Sequence, residues 1–429
     1  MEISQFAIVA ALLLAFALVS RRLENTIITP PMVFVVAGFL LGGDGLGLLD
    51  LDVGEEAIHL ITELTLVLVL FADASRIDLG QLRKQHNLPV RMLSIGLPLT
   101  ILLGTVMAML VFPELDLWAA ALLAAVLAPT DAALGQAVVT RADVPSRIRQ
   151  TINVESGLND GIALPVVIFF ICLNSTAHDL ADVDWLTFAA QQIGIGSLAG
   201  ITVGYAGGKA IDLAWKRAWM TTAFQGISAL GVALLAYACA SMLGGNGFIA
   251  AFAAGLVVGA VTRHACGFLF EFAEAEGQLL TLFTFLVLGA ALVPEAFAHL
   301  TWDIVIYAVL SLTFIRMVPI ALSLAGSGLK PPSYFFLGWF GPRGLASVLF
   351  ALLVLSDQTI AVAHQIMMVT IVTVVLSITL HGMSAVPFSK IYAGYLERKR
   401  QDVVHVEDRD VSQMPLRISR KSKPVRTTE

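Results

Sequence analysis

The stretch that decides the fold is NVESGLNDG, residues 153–161, which opens an apolar segment that continues to Cys172. At about 100° per residue on an α-helix, four polar side chains of this stretch fall within roughly 140° of one another and share a face. They are Glu155, Ser156, Asn159 and Asp160. An ionised side chain at membrane depth costs on the order of 2.5–3.5 kcal/mol, so its presence there indicates a functional site. The alternative is that Glu155 and Asp160 lie near a helix end in water and only cap the helix.

The composition is that of a polytopic membrane protein. Of the 429 residues, 57% are hydrophobic and only 14% are charged, with a mean hydropathy of +0.83. A soluble domain holds about 25% charged residues, so an ordinary soluble fold is excluded. The cysteines Cys172, Cys239 and Cys266 form no CxxC pair and lie in or beside apolar segments, which favours buried hydrophobic residues over a zinc or redox site. We expect a lipid bilayer as the surrounding partner, with no cofactor, no nucleic acid and no enzymatic activity.

Thirteen apolar segments are candidates to cross a bilayer, which takes about 20 helical residues. They are 3–20, 27–43, 57–73, 90–112, 117–139, 150–173, 187–210, 220–243, 246–263, 276–294, 302–325, 334–355 and 361–386. Residues 390–429 are polar and lack apolar periodicity, which predicts a disordered tail. The sequence therefore predicts a transmembrane domain over residues 1–389.

The distribution of charge supports this count and predicts an orientation. With the N-terminus outside, 14 of the 26 Lys and Arg residues fall in or beside the cytoplasmic connections and ten fall in the tail. The opposite connections carry acidic residues instead. Because Lys and Arg concentrate on the cytoplasmic side of membrane proteins, we expect a multi-pass cell-membrane protein with a cytoplasmic C-terminal tail. The two basic residues that remain, Arg316 and Arg343, lie inside apolar segments and need partners.

Two of the segments are interrupted near their middle. Segment five contains the sequence PTD at residues 129–131, and segment twelve contains GPRG at 341–344. Irregular backbone at membrane depth is tolerated where it is buried in protein or lines a watery cavity. With segment seven, 187–210, as a connector, residues 1–173 and 220–386 form two halves of six, and each interrupted segment is the fifth of its half. This placement is typical of an inverted-repeat transporter with its site at the midplane.

The residues that break these helices are Pro129, Gly341 and Pro342, because proline removes a backbone donor and glycine loosens the helix. A broken helix exposes half-helix ends with partial charges of about ±0.5. Asp131 is placed to offset exposed amide ends, and Arg343 to offset exposed carbonyl ends. The alternative is that the prolines only kink intact helices.

The ESGLNDG run at residues 155–161, together with 129–131 and 341–344, resembles the monovalent cation/proton antiporters, in the electroneutral sodium/proton exchanger branch that holds the NhaP-like proteins. The resemblance covers residues 1 to about 390 in the number and order of segments. It implies an all-α fold of about thirteen helices, with two inverted six-helix repeats whose broken helices cross at the midplane. It also implies a homodimer in which a six-helix core moves against a dimerisation domain. One departure is Ala132, where many members have proline.

The resemblance further implies roles for individual residues. Asp160 would bind the cation and the proton in turn, and Asn159 marks the electroneutral branch, in which an amide replaces a second aspartate. Thr130, Ser156 and Glu155 would complete or order the ion site. The implied ligands of the transported cation are Asp160, Thr130 and Ser156.

The remaining charged residues of the site are less fully determined. Asp131 is grouped with the ion-binding and proton-carrying residues. Either Arg316 or Arg343 would neutralise Glu155, and the sequence does not choose between them.

We expect exchange of Na⁺, or of Li⁺ or K⁺, for H⁺ by alternating access, for pH and cation homeostasis. If an arginine holds Glu155 ionised, only one titrating charge crosses, as Asp160 with a proton or with a cation, so the exchange is one for one and electroneutral. Oxygen ligands suit an alkali cation better than a soft metal. The alternatives are a coupled transporter of an organic solute, a cation channel, and an intramembrane protease that uses Asp131 and Asp160 as a dyad.

Overall fold

The structure, a computed structural model, describes residues 3–23, 26–49, 56–77, 87–141, 143–174, 185–262, 267–357, 359–399 and 407. Within these residues the structure contains helices and no strands, and we number the helices α1 to α15. The first half of the chain contains α1 (Ile3–Leu23), α2 (Pro30–Leu41), α3 (Glu56–Ser75), α4 (Asn87–Val111), α5 (Leu117–Val126), α6 (Ala132–Val139) and α7 (Ser146–Asn174).

The second half follows the long connector α8 (Trp185–Lys216). It contains α9 (Thr222–Met242), α10 (Gly247–Thr262), α11 (Gly267–Val287 continuing to Val293–Ala298), α12 (Trp302–Leu324), α13 (Pro331–Trp339), α14 (Leu345–Ser356) and α15 (Ala363–Lys399). Since α5 with α6 and α13 with α14 are halves of the interrupted segments, these helices correspond one to one to the thirteen predicted segments. Among the described residues, eight helices are long and apolar enough to cross a membrane.

Two intact segments contain a wide turn just before a proline. A π-helical turn occupies Met92–Gly96 in α4, ahead of Pro98, and another occupies Leu288–Leu292 in α11, ahead of Pro294. Proline has no N–H and its ring clashes with the preceding turn, so the helix widens there and then continues. These segments therefore still span as single helices, unlike the two that break.

The helices pack in two groups. The broken-helix bundle contains α4–α7 and α12–α15, and the companion bundle contains α1–α3 and α8–α11. Helix α7, which carries residues 153–161, packs on α5 and α6 in its own bundle and also on α3, α8 and α10 of the companion bundle. The stretch that organises the sequence therefore lies on the boundary between the bundles.

Small residues bring the helices of the companion bundle close together. A Cβ at Gly204 in α8 would overlap the backbone of Ala254 in α10, and a Cβ at Gly259 in α10 would overlap the carbonyl of Ser75 in α3. Because lipid is as apolar as a leucine side chain, such close backbone packing is a main source of helix association in membranes.

The end of the chain differs from the prediction. The last helix was expected to end near residue 386 and the tail to begin at 390, but α15 continues to Lys399. Its extra turns are held because Tyr392 and Leu396, four residues apart, are buried in a hydrophobic cluster. Glu407 is also buried, and its Oε1 accepts hydrogen bonds from Lys330 N at 2.7 Å and Ser333 Oγ at 2.9 Å, at the start of α13. The rest of the predicted tail lies outside the described residues.

Candidate functional site

The two interrupted segments meet at their breaks. Helix α5 ends at Val126 and α6 begins at Ala132, while α13 ends at Trp339 and α14 begins at Leu345. Between these ends the backbone N–H of Asp131 donates to the carbonyl of Pro342 at 2.7 Å. The segments therefore cross, and the crossing is made by the PTD and GPRG sequences themselves.

The carboxylate of Asp131 lies at the amide ends of two half-helices. Its Oδ2 accepts from Leu345 N at 2.7 Å, at the start of α14, and its Oδ1 accepts from Leu134 N at 3.4 Å, in the first turn of α6. A helix start carries a partial positive charge, so a buried anion is stabilised there. These contacts place Asp131 among the residues that hold the crossing, next to Thr130.

The guanidinium of Arg343 lies at a carbonyl end. Its Nη1 donates to Ala128 O at 2.7 Å and to Pro129 O at 3.2 Å, just beyond the end of α5, and the whole side chain is buried. A cation at this end of a helix offsets the partial negative charge of the exposed carbonyls. The charged residue of each break therefore contacts the other interrupted segment.

Glu155 is paired with Arg316, not with Arg343. Arg316 Nη1 lies 2.6 Å from Glu155 Oε1 and Nη2 lies 2.7 Å from Oε2, and 2% of each side chain is exposed. Such a two-pronged contact is the strong form of the arginine–carboxylate pair. The positive charge that compensates Glu155 of α7 thus comes from α12, and the Glu155–Arg316 pair is neutral overall.

Three polar side chains connect α7 to the break between α5 and α6. Thr130 Oγ1 accepts from Asn159 Nδ2 at 2.5 Å and lies 3.0 Å from Ser156 Oγ, and all three residues are buried. Asp160 follows Asn159 and lies one helical turn beyond Ser156, so its side chain is on the same side of α7, with 6% of the residue exposed. The predicted residues Thr130, Ser156, Asn159 and Asp160 are therefore gathered at the crossing.

The chemistry of this group is that of hard oxygen ligands. It offers a carboxylate, two hydroxyls and an amide, and Asn159 Oδ1 makes no hydrogen bond to any described residue. The described residues hold no cluster of three or more His, Cys, Asp or Glu suited to a resident metal ion. Oxygen donors of this kind suit an alkali or alkaline-earth cation.

The glycines of the GPRG sequence make room for the charged side chains. A Cβ at Gly341 would overlap the guanidinium of Arg316, and a Cβ at Gly344 would overlap the carboxylate of Asp131. The sequence identified Gly341 only as a helix breaker. Its second role depends on a side chain from α12, which no local pattern identifies.

A family comparison decides what kind of protein carries this site. The model of the family described as "Sodium/hydrogen exchanger, transmembrane" matches residues 8–391. The chain belongs to the sodium/hydrogen exchanger family. It is accordingly a multi-pass membrane protein of a family of transporters.

The individual relatives compared with this chain are distant. The chain is 24% identical over 359 residues to the K⁺/H⁺ antiporter NhaP2 of Shewanella sp. strain ANA-3, covering 82% of this chain and 60% of that protein. It is 25% identical over 383 residues to the K⁺/H⁺ antiporter NhaP of Alkalimonas amylolytica, covering 87% of this chain and 63% of that protein. The chain thus spans about three fifths of the length of these relatives.

A solved structure shows the same fold. The sodium proton antiporter MjNhaP1 of Methanocaldococcus jannaschii, determined at pH 8, matches with a TM-score of 0.73 over 91% of this chain and 99% of that chain. The sequence identity is 19%. The all-α architecture with crossing broken helices, predicted from the sequence, is confirmed.

Three residues near the crossing were not predicted as part of the site. Ser377 and His381 of α15 contact the break between α13 and α14, and the ring of Phe252 in α10 lies where a Cβ at Gly161 would be. The spacing of Ser377 and His381 by one helical turn places two polar groups on one face of an apolar helix, which is the one sequence signal for the pair. Phe252 carries no such signal, because an aromatic residue in an apolar segment is ordinary.

Proposed function

We propose that this exchanger carries one monovalent cation in one direction and one proton in the other, by alternating access. The observation that carries the proposal is the position of Asp160, a buried carboxylate on α7 beside the Thr130, Ser156 and Asn159 group at the crossing. Burial disfavours a bare negative charge, so a buried carboxylate is stable when it either carries a proton or binds a cation. A proton and an alkali cation therefore compete for Asp160.

The charges around Asp160 support electroneutral exchange. Glu155 is paired with Arg316 at two contacts, and Asp131 and Arg343 are directed at opposite ends of half-helices. Each of these charges keeps its partners while Asp160 changes between proton and cation. One positive charge then crosses in each half-cycle, as the cation in one direction and as the proton in the other, so a full cycle moves no net charge.

The cation ligands that we assign are Asp160, Thr130 and Ser156. Asn159 donates to Thr130 Oγ1, which holds that hydroxyl in place, and Asp131 holds the backbone next to it. In this assignment Asp131 acts on the geometry of the site and is not a ligand.

The packing of the helices supports movement between the bundles. The ion site lies where α7 contacts the companion bundle, so a displacement of the broken-helix bundle would expose it to one side or the other. We assign the broken-helix bundle as the moving core and the companion bundle as the dimerisation domain of a homodimer. We place the N-terminus outside and the C-terminal end in the cytoplasm, as the distribution of Lys and Arg predicts.

The cation is an alkali metal ion. The two relatives described above are named for K⁺/H⁺ exchange and the solved neighbour for sodium and protons, and all of these are hard ions that oxygen ligands accept. We propose Na⁺ or K⁺ as the substrate, with Li⁺ as a further candidate.

The test is cation-driven proton release from proteoliposomes that hold the full chain and an acidic lumen, read with a pH dye. We expect external LiCl, NaCl or KCl to raise the luminal pH and choline chloride to leave it unchanged. Asp160→Asn removes the response. The matched control is Asp143→Asn, the same chemical change at the carboxylate paired with Arg141 in the connection after α6, and it keeps the wild-type rate.

Three outcomes would count against this proposal. Full exchange by Asp160→Asn would remove the assigned site. Rates that change severalfold with an imposed membrane potential would show net charge movement, and conductance without proton movement would indicate a channel.

A further inference from the structure

The break between α13 and α14 leaves backbone groups that the helices do not satisfy. Helix α13 ends at Trp339 and α14 begins at Leu345, so neither helix supplies a partner for the amide of Arg343, and the carbonyl of Trp339 accepts from Gly341 N at 2.8 Å within the break itself. Buried backbone polar groups need partners, because leaving one without a hydrogen bond costs about 1–3 kcal/mol. At this break α15 supplies the partner of the Arg343 amide and a second partner for the Trp339 carbonyl.

Two side chains of α15 contact the two sides of the break. Arg343 N donates to Ser377 Oγ at 2.7 Å, and His381 Nε2 lies 2.9 Å from Trp339 O. Ser377 Oγ and His381 Nδ1 are 3.2 Å apart, and both residues are buried. One polar face of α15 therefore spans the whole break.

The hydrogen-bonding capacity of the partners limits where the hydrogens lie. Two carbonyl oxygens lie 2.9 Å from the ring of His381, Trp339 O from Nε2 and Ser377 O from Nδ1, and the neutral ring has one hydrogen for them. We assign that hydrogen to Nε2, which donates to Trp339 O across the break. Ser377 Oγ accepts from Arg343 N and has its own hydrogen left to donate to His381 Nδ1. With this assignment the hydrogen bonds run in one direction from Arg343 through Ser377 and His381 to Trp339.

We propose that Ser377 and His381 are positioning residues for exchange, a clamp that fixes the broken segment so that Thr130 is held as a cation ligand. The clamp holds the backbone of Arg343, whose guanidinium holds Ala128 and Pro129. The neighbouring Pro342 carbonyl receives Asp131 N, the peptide next to Thr130. A displacement of residues 339–345 is thereby transmitted to the ion site through two short steps. The inference rests on the proposed function only for its effect on transport.

The first test measures the kinetics of exchange for Ser377→Ala, His381→Leu and His381→Gln in proteoliposomes. Ser377→Ala and His381→Leu raise the KM for the cation roughly tenfold, the equivalent of one lost buried hydrogen bond, with Vmax within about threefold of wild type. His381→Gln, whose amide donor replaces Nε2–H, restores a KM close to that of wild type. The control is Thr370→Ala, because that buried hydroxyl of α15 bonds only Ile366 O of its own helix among the contacts seen.

The second test reads the clamp without transport. In Ser377→Ala the Arg343 amide loses its acceptor, so its hydrogen exchange in the purified full chain rises about fivefold or more, while Thr370→Ala leaves it unchanged. An unchanged Arg343 amide in Ser377→Ala would overturn the clamp, whether or not the wild type transports.

The kinetic outcomes separate the two proposals. A wild-type protein with no cation-driven proton release refutes the proposed function, and the hydrogen-exchange result still decides the clamp. A lower Vmax at unchanged KM, or the same rise in KM for Thr370→Ala, would indicate a general effect on folding and would refute the positioning role.

Discussion

The pair between Glu155 and Arg316 places two opposite charges in the interior, where 2% of each side chain is exposed. Removing one member of a buried pair leaves an uncompensated charge and costs about 3–5 kcal/mol, whereas replacing both is close to neutral. We expect Arg316→Met to lower the thermal unfolding midpoint in detergent sharply and Glu155→Gln with Arg316→Met to recover most of it. Arg141→Met is the control, because its pair with Asp143 is more exposed and is worth at most about 1 kcal/mol. Equal losses in the single and double variants would contradict this account.

Gly344 offers a second test at the scale of a residue. A Cβ there would overlap the carboxylate of Asp131, so Gly344→Ala pushes that carboxylate away from Leu345 N. Overpacking of this kind costs about 1–3 kcal/mol, and we expect exchange to fall roughly tenfold at a normal level of protein in the membrane. Gly157→Ala on α7 is the control, because nothing lies within 4 Å of its added Cβ and alanine favours a helix. If Gly344→Ala and Gly157→Ala exchange equally well, Asp131 does not need its present position.

The residues of the site were more predictable than their contacts. The polar face of residues 155–160 and the two buried arginines follow from sequence, because a charge in an apolar segment is costly wherever it lies. The choice between Arg316 and Arg343 does not follow. Glu155 and Arg316 are 161 positions apart, so only the packing of α12 on α7 brings them together.

At the scale of elements, the start of α13 is tied to Glu407, a contact that was not predicted. Glu407 Oε1 accepts from Lys330 N, just before the helix, and from Ser333 Oγ in its first turn. We expect Glu407→Ala to lower the stability by about 1 kcal/mol in thermal unfolding, as the loss of a buried hydrogen bond does, and truncation after Lys399 to lower it by at least as much. Glu397→Ala, an exposed acid on α15, is the control and leaves the midpoint unchanged. A truncated chain as stable as the full chain would show that Glu407 does not support α13.

The elements themselves were largely predictable. Pro129 and Gly341-Pro342 mark the two breaks, because proline removes a helical hydrogen bond and glycine loosens the backbone. Pro98 and Pro294 also remove a helical hydrogen bond, yet at these positions the helix widens into a π-helical turn and continues. The extension of α15 escaped prediction for another reason, since Tyr392 and Leu396 are too few apolar positions to stand out in a charged segment.

At the scale of the whole molecule, hydropathy and charge determine the number and order of the segments but not their grouping. Helices α3, α8 and α10 read like any other apolar segment, and only long-range packing places them against α7. Only the family resemblance predicted the division into two bundles. It is also the feature on which alternating access depends.

Two neighbouring residues at the start of α15 make that division testable. His364 lies 2.9 Å from Glu295 of α11, across the bundles, whereas Gln365 lies 2.6 Å from Glu114, within the broken-helix bundle. In a chain with its three cysteines replaced, a short, reducible bis-methanethiosulfonate cross-link between Glu295→Cys and His364→Cys joins the bundles and is expected to stop more than about 90% of exchange until it is reduced. The same cross-link between Glu114→Cys and Gln365→Cys joins residues that move together, so exchange continues. Full exchange with the first cross-link in place would mean that the bundles do not move past each other.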